Sequence, residues 1–125
     1  LEDINFDCIV AIVRGGLVPA ALLSHRLNCR HVETVCCSSY QWRERGELVL
    51  SGKNLNHLCG LSVLVVDDLC DSGKTMEAVR GELIGQGVED VTTCCLYVKE
   101  CSRFTPDYYI SKTASDEWID FPWEV

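Results

Sequence analysis

Two stretches of the chain are apolar without alternation: Cys8-Ile9-Val10-Ala11-Ile12-Val13 and Leu61-Ser62-Val63-Leu64-Val65-Val66. A strand with one wetted face alternates polar and apolar residues, and a strand covered on both faces does not, so both runs predict buried strands. Gly15-Gly16 breaks the first run. Pro19 suits a first helical turn, and Ala20, Leu22, Leu23 and Leu27 recur at helical spacing up to Asn28, a C-terminal cap residue. Val32 to Cys37 reads as a second strand, Ser38 to Gly46 as a polar loop, Glu47 to Leu50 as a short strand and Ser51 to Asn54 as a turn. After the second apolar run, Met76, Val79, Leu83 and Ile84 form one face of a helix that Gly85-Gln86-Gly87 ends. Val91 to Val98 is rich in β-branched residues and reads as a strand, and Tyr108-Tyr109-Ile110 as a short one. The aromatic tail Trp118 to Trp123 is broken by Pro122 and reads as loop or sheet edge. Apolar strands alternating with helices predict an α/β fold, a mostly parallel twisted sheet flanked by helices. Ligands in such sheets bind beyond the carboxyl ends of the strands. Arg14-Gly15-Gly16 and Asp67 to Thr75 fall at those ends.

Composition narrows the picture. A chain of 125 residues forms one domain, 1–125. Its net charge is −8, and the imbalance is uneven: residues 1–66 carry six acidic and six basic side chains, residues 67–125 thirteen and five. This argues against binding nucleic acid or an anionic membrane through a bulk positive field, and on charge alone against any polyanionic ligand. No apolar run approaches the roughly 18 residues of a transmembrane segment, and no secretory signal is visible. The nine cysteines are odd in number, include two adjacent pairs and form no C-x-x-C, and the histidines do not cluster with them along the chain. That pattern predicts reduced cysteines used as small core hydrophobes in a cytoplasmic protein, not a disulfide scaffold or a zinc motif.

The segment Asp67-Asp68-Leu69-Cys70-Asp71-Ser72-Gly73-Lys74-Thr75 carries the most chemistry. A strand, a small polar turn and a helix N-terminus together make an anion site, because unpaired backbone N–H groups and the helix dipole both favour phosphate. Ser72 and Thr75 add hydroxyls, and Gly73 lets a ligand approach the backbone. Gly73-Lys74-Thr75 matches the end of a nucleotide-triphosphatase phosphate loop, but Asp68 stands where that motif needs its first Gly. Paired carboxylates instead accept hydrogen bonds from ribose hydroxyls and can hold Mg²⁺. A phosphorylated ribose fits this set, and helix capping alone would use only one Asp or Ser.

The run Val65 to Thr75 resembles the phosphoribosyl-pyrophosphate (PRPP) motif of the purine phosphoribosyltransferases. Arg14-Gly15-Gly16-Leu17-Val18-Pro19-Ala20 resembles the pyrophosphate loop of the bacterial xanthine-guanine enzymes. His31 to Cys36 with Ser38-Ser39-Tyr40 resembles their next strand and mobile loop, and Trp118 to Trp123 their base-binding hood. The matches run in order from about Cys8 to Trp123. The resemblance implies Mg²⁺-dependent transfer of a phosphoribosyl group from PRPP to a 6-oxopurine base, with release of pyrophosphate. It implies that Asp71 to Thr75 (Asp71, Ser72, Gly73, Lys74, Thr75) cradle the 5′-phosphate. Asp67 and Asp68 would hold the ribose hydroxyls, with Asp68 on the metal. Asp71 would face the purine N7, and Arg14 and Gly15 would bind pyrophosphate. It further implies that Ser39, Tyr40 and Arg45 belong to the mobile loop, with Gly46 an equal match to the family's loop Arg. Lys99 would donate to the purine O6, Trp118 stack on the base, and Ile119 contact its C2 side.

The chain departs from the family in several places. Lys74 replaces a Gly, Val13 a Ser and Glu100 a Pro, which opens the choice among guanine, xanthine and hypoxanthine. Little precedes Cys8, where family members carry a helix, so the resemblance implies a missing N-terminal helical segment, with a hood contributed by about 99–125. It also implies a homo-oligomer, dimer or tetramer. The alternative activity is a regulator on the same fold that senses PRPP or nucleotide without strong catalysis.

Overall fold

The computed structural model describes residues 3–42, 48–50 and 55–124. In chain order the elements are β1 (Cys8–Val13), α1 (Leu17–Leu27), β2 (Val32–Trp42), β3 (Leu48–Leu50), a 3-10 turn (Asn56–Leu58), β4 (Ser62–Cys70), α2 (Lys74–Gly85), β5 (Asp90–Lys99) and β6 (Tyr108–Thr113). Cys8, Val10 and Ile12 point to one face of the sheet, where they pack with Val63, Val65 and the α2 residues Met76, Val79 and Leu83. Ile9 and Ala11 point to the other face and pack with Leu64, Val66 and Ala20 of α1. A helix on each side is the physical reason that these strands show no polar alternation.

The six strands lie in the order β3-β2-β1-β4-β5-β6. All neighbours from β2 to β6 are parallel, and β3 alone is antiparallel, on the outer side of β2. The expected mostly parallel α/β sheet is therefore present. Asp7 ties the amino ends of the two central strands together. Its backbone N–H donates to the Ser62 carbonyl (2.8 Å), and its carboxylate accepts from the Ser62 N–H (2.8 Å). Asp107 does the same work at the other edge, accepting from the Thr93 N–H (2.9 Å) and hydroxyl (3.1 Å) just before β6 begins.

Asn28 caps α1 in the left-handed conformation at φ 51°, as its position predicts. The Cys29 N–H donates to the Ser24 carbonyl at 3.0 Å, and the Ser24 hydroxyl donates back to the Cys29 carbonyl at 2.7 Å. Burial pushes the Cys8 thiol up to about 12, with the Glu33 charge adding to the effect, so this cysteine is a neutral core side chain.

Three expectations change. The polar stretch from Ser38 is not loop throughout, because β2 runs on to Trp42. An antiparallel partner takes up its backbone groups, with Cys37 opposite Leu50 and Trp42 opposite Leu48 and an irregular register between. β4 does not stop at Val66 but continues to Cys70, with Asp67, Leu69 and Cys70 registered against Cys95, Tyr97 and Val98. The long β5 supplies hydrogen-bond partners that override the poor strand propensity of aspartate. Folding also brings histidine next to cysteine, since Cys8, His31 and Glu33 converge at the amino edge of the sheet. The expected turn Ser51 to Asn54 lies outside the described residues.

Leu58 holds the 3-10 turn in the core and is fully buried beside Cys8 and Val10. Truncation there leaves a cavity, so Leu58→Ala is expected to cost about 2–5 kcal/mol, read from the urea midpoint against wild type.

Candidate functional site

The strand order reverses between β1 and β4: β2 and β3 lie to one side, β5 and β6 to the other. The crevice at the carboxyl ends of such a pair is where open α/β sheets bind ligands. The two segments singled out in the sequence meet there. The chain leaves β1 through a cis peptide between Val13 and Arg14 and turns at once, with the Gly16 N–H donating to the Ile12 carbonyl at 2.7 Å. Any Cβ on Gly15 would fall on the Asp68 carboxylate, so glycine is what allows the β1 turn to lie against the end of β4. A cleft of about 730 Å³ opens beside this contact, lined by Arg14, Gly15, Leu17, Val18, Asp68, Trp123 and Glu124.

The turn between β4 and α2 is Asp71-Ser72-Gly73. Gly73 has φ 84° and serves as the N-cap of α2 without a side-chain cap. Its Cβ position lies 2.6 Å from the Ser102 hydroxyl oxygen and 2.8 Å from the Phe104 backbone nitrogen, so a side chain is excluded by space as well as by conformation. The turn is braced from below. The Arg103 N–H donates to the Ser72 carbonyl at 3.1 Å, and the Ser102 hydroxyl closes its own loop by donating to the Phe104 carbonyl at 2.7 Å. The Ser72 hydroxyl accepts from the Lys74 N–H at 3.3 Å. Asp71 and Ser72 are exposed and Thr75 is half-buried, so the turn presents its polar groups to solvent at a helix N-terminus.

Asp67 and Asp68 are consecutive on β4. The Asp68 N–H donates to the Asp67 carboxylate at 2.8 Å. Burial, and then the negative charge of Asp68 beside it, push the Asp67 carboxyl well above the ordinary range. A cation arriving beside Asp67 would act against this rise, because positive charge favours the ionised form.

Lys99 ends β5 and is only 6% exposed, and no described side chain hydrogen-bonds or ion-pairs with it. Trp118 is 82% exposed, which rules out core packing as its role, and its Nε1–H donates to Asp120 at 2.9 Å. Ile119 is half-buried. Of the expected set, Arg14, Gly15 and Asp68 line the cleft, whereas Lys99, Trp118 and Ile119 are not among its lining residues. Ser39 and Tyr40 lie on the backbone of β2, and Arg45 lies outside the described residues. Trp123 is the residue the sequence reading missed. It stacks on the buried Phe121 at 5.0 Å and 15°, and Phe121 in turn sits 6.0 Å from Tyr97 of β5. Its place in the aromatic tail was visible, but only the anchoring of Phe121 turns it toward Arg14.

Asp67 keeps its proton in the fold at pH values where the unfolded chain has lost it. Stability from this group is full below the ordinary carboxylate pKa and is lost as pH rises through the raised value. Asp67→Asn removes that dependence. In metal-free buffer the variant is expected to gain on wild type in urea midpoint between pH 4.5 and 7.5, and a constant difference would refute the buried proton.

The entire chain, residues 1–125, matches the phosphoribosyl transferase domain. It is 42% identical over 125 residues to a xanthine-guanine phosphoribosyltransferase of Chromohalobacter salexigens, covering 100% of this chain and 73% of that one. The fold superposes on a purine phosphoribosyltransferase from Pyrococcus horikoshii with a TM-score of 0.87 at 34% identity, over 100% of this chain and 82% of that one. A xanthine-guanine-hypoxanthine phosphoribosyltransferase of Helicobacter pylori gives 0.77 at 27% identity, over 96% and 75%. With Asp68 at the end of β4 meeting the Arg14-Gly15 turn at one crevice, and the match running from end to end, this chain belongs to the phosphoribosyl transferase domain family.

Proposed function

We propose that the protein transfers the phosphoribosyl group of PRPP to a 6-oxopurine, forming the bond from the purine to the anomeric carbon as the bond to pyrophosphate breaks. The products are a nucleoside monophosphate and pyrophosphate, the outcome of purine salvage. One observation supports this reading: Asp68 meets the Arg14-Gly15 turn where the strand order reverses, and β4 runs on from there into the Asp71–Gly73 turn. The 5′-phosphate sits on the Asp71 to Thr75 turn, held by backbone N–H groups of α2 with Ser72, Lys74 and Thr75. Asp67 and Asp68 take the ribose hydroxyls. Arg14, always charged and donating in a fork, meets the pyrophosphate. Asp71 is exposed beside the turn, free to accept the N7 proton as the new bond forms. Lys99 donates to O6, and Trp118 and Ile119 cover the base from a hood contributed by about residues 99–125.

The carboxylate pair suits Mg²⁺, since its oxygens are hard donors. Asp68 would hold the ion, which supplies positive charge to the leaving pyrophosphate. Ser39, Tyr40 and Arg45 would close over PRPP and keep water out. A sensor that binds PRPP without turning it over would not need Asp71, Lys99 and Trp118 together. We place the enzyme in the cytoplasm, a reading supported by the free cysteines Cys8, Cys29, Cys70, Cys94 and Cys95 in the core. We also propose a homo-oligomer. It is supported by an apolar groove of about 390 Å³ between α1 and β6, where Leu22 and Ile110 are exposed, and a monomer by light scattering would refute it. Among the described residues no helix is long and apolar enough to cross a membrane.

Incubation with Mg²⁺, PRPP and each of guanine, xanthine, hypoxanthine and adenine is expected to give nucleotide from the 6-oxopurines. PRPP binding without product from any base would favour the sensor, and activity with adenine alone would overturn the role of Lys99. Asp71→Asn is expected to lower kcat by roughly 10²–10⁴, and wild-type turnover in that variant would remove Asp71 from the chemistry.

A further inference from the structure

The amino edge of the sheet, opposite the crevice, carries a second group of chemically active side chains. Cys8 opens β1, His31 and Glu33 flank the start of β2, and His57 lies in the 3-10 turn that precedes β4. The ligand atoms of Cys8, His31 and Glu33 all lie within 4.8 Å of one another. His31 Nε2 is 2.8 Å from Glu33 Oε2, and His57 Nε2 meets the same oxygen. The two imidazole rings are tilted at 31° with centroids 6.4 Å apart, so their nitrogens converge on one point instead of stacking. Burial works to raise the Glu33 carboxyl, but the hydrogen bonds from His57 and His31 outweigh it and hold the group below its ordinary value.

We propose that Cys8, His31, Glu33 and His57 bind one Zn²⁺ ion at the amino edge of the sheet. The donor set is one thiolate, two imidazoles and one carboxylate, which suits a tetrahedral zinc centre and is ill-suited to the all-oxygen shells of Mg²⁺ or Ca²⁺. Charge balances: the thiolate and the carboxylate supply two negative charges against the two positive charges of the ion, which is what a half-buried site requires. Binding sends the Cys8 thiol proton to solvent. Each imidazole shifts its proton from Nε2 to Nδ1, and the freed Nε2 lone pairs turn from Glu33 to the ion. The backbone is already held in place. Leu55 and Leu58 are fully buried on either side of His57, and Cys8 is 0% exposed within β1. Four protein ligands leave no open position, so the role is structural: the ion ties the 3-10 turn to β1 and β2.

The test uses the reduced, chelator-stripped full chain. Dialysis against Zn²⁺ followed by elemental analysis is expected to give one ion per chain, with a higher thermal midpoint. Co²⁺ is expected to show a thiolate charge-transfer band. His31→Gln and His57→Gln, at exposed positions, should each weaken Zn²⁺ binding roughly 100-fold, as expected when one of four ligands of a structural site is lost. His25→Gln, on α1, should leave it unchanged. Cys8→Ala should lose the cobalt band, and because Cys8 is a core residue the two histidine variants decide the matter if that variant unfolds. No uptake by wild type at micromolar Zn²⁺ overturns the proposal. Uptake equally tight in both histidine variants also overturns it, since the metal would then sit on other cysteines.

Discussion

Burial of two adjacent parallel strands on both faces is the constraint on which the rest of this molecule depends. β1 and β4 run side by side in the same direction, and neither can return to the sheet without a crossover. α1 carries the chain away from β1 over one face and α2 carries it away from β4 over the other. The two crossovers therefore diverge, and the carboxyl ends of β1 and β4 are left uncovered between them. The core residues that force this arrangement, from Ile9 to Ile12 and from Val63 to Val66, take no part in the chemistry of the crevice. They fix the place where chemistry is done.

The crevice also resolves the tension between an acidic protein and a polyanionic substrate. Net charge describes the field far from the surface, whereas binding at a helix terminus depends on dipoles within a few ångströms. On the proposed reading, the N-terminal turn of α2 and Arg14 would provide that local attraction. Part of the surplus negative charge lies near it, on Asp67 and Asp68, where burial and then the Asp68 charge raise the Asp67 carboxyl above its ordinary range. Net charge weighs against nucleic acid but says little about a small phosphorylated ligand, because the two are recognised over different distances.

The runs Cys8–Val13 and Leu61–Val66 made the parallel sheet legible, since residue type alone tells a doubly covered strand from a wetted one. The phosphate-type turn was legible for the same reason: Ser-Gly-Lys-Thr after three carboxylates has few other uses. What escaped depends on partners far away in the chain. β4 persists through Asp67 and Asp68 only because β5 lies alongside, and β2 persists past Cys37 only because β3 folds back on it. Trp123 reaches the cleft because Phe121 is clamped near Tyr97. The meeting of Cys8 with His31 and Glu33, and of His57 with Glu33, is invisible in spacing, because segments distant in sequence supply it.

The bracing of Gly73 has a consequence for what the crevice can measure. The loop that presses on Gly73, Ser102 to Phe104, begins just after Lys99, and the Ser102 N–H donates to the Lys99 carbonyl at 3.0 Å. The phosphate-type turn and the lysine at the end of β5 are thus two jaws of one caliper, joined through the Ser102–Phe104 loop by backbone hydrogen bonds and the Ser102 hydroxyl. On the proposed reading, a ligand that bridges them would be gauged for length before any donor or acceptor on it is read. A change in the hinge between the jaws would reset that gauge for every ligand at once, whatever its base.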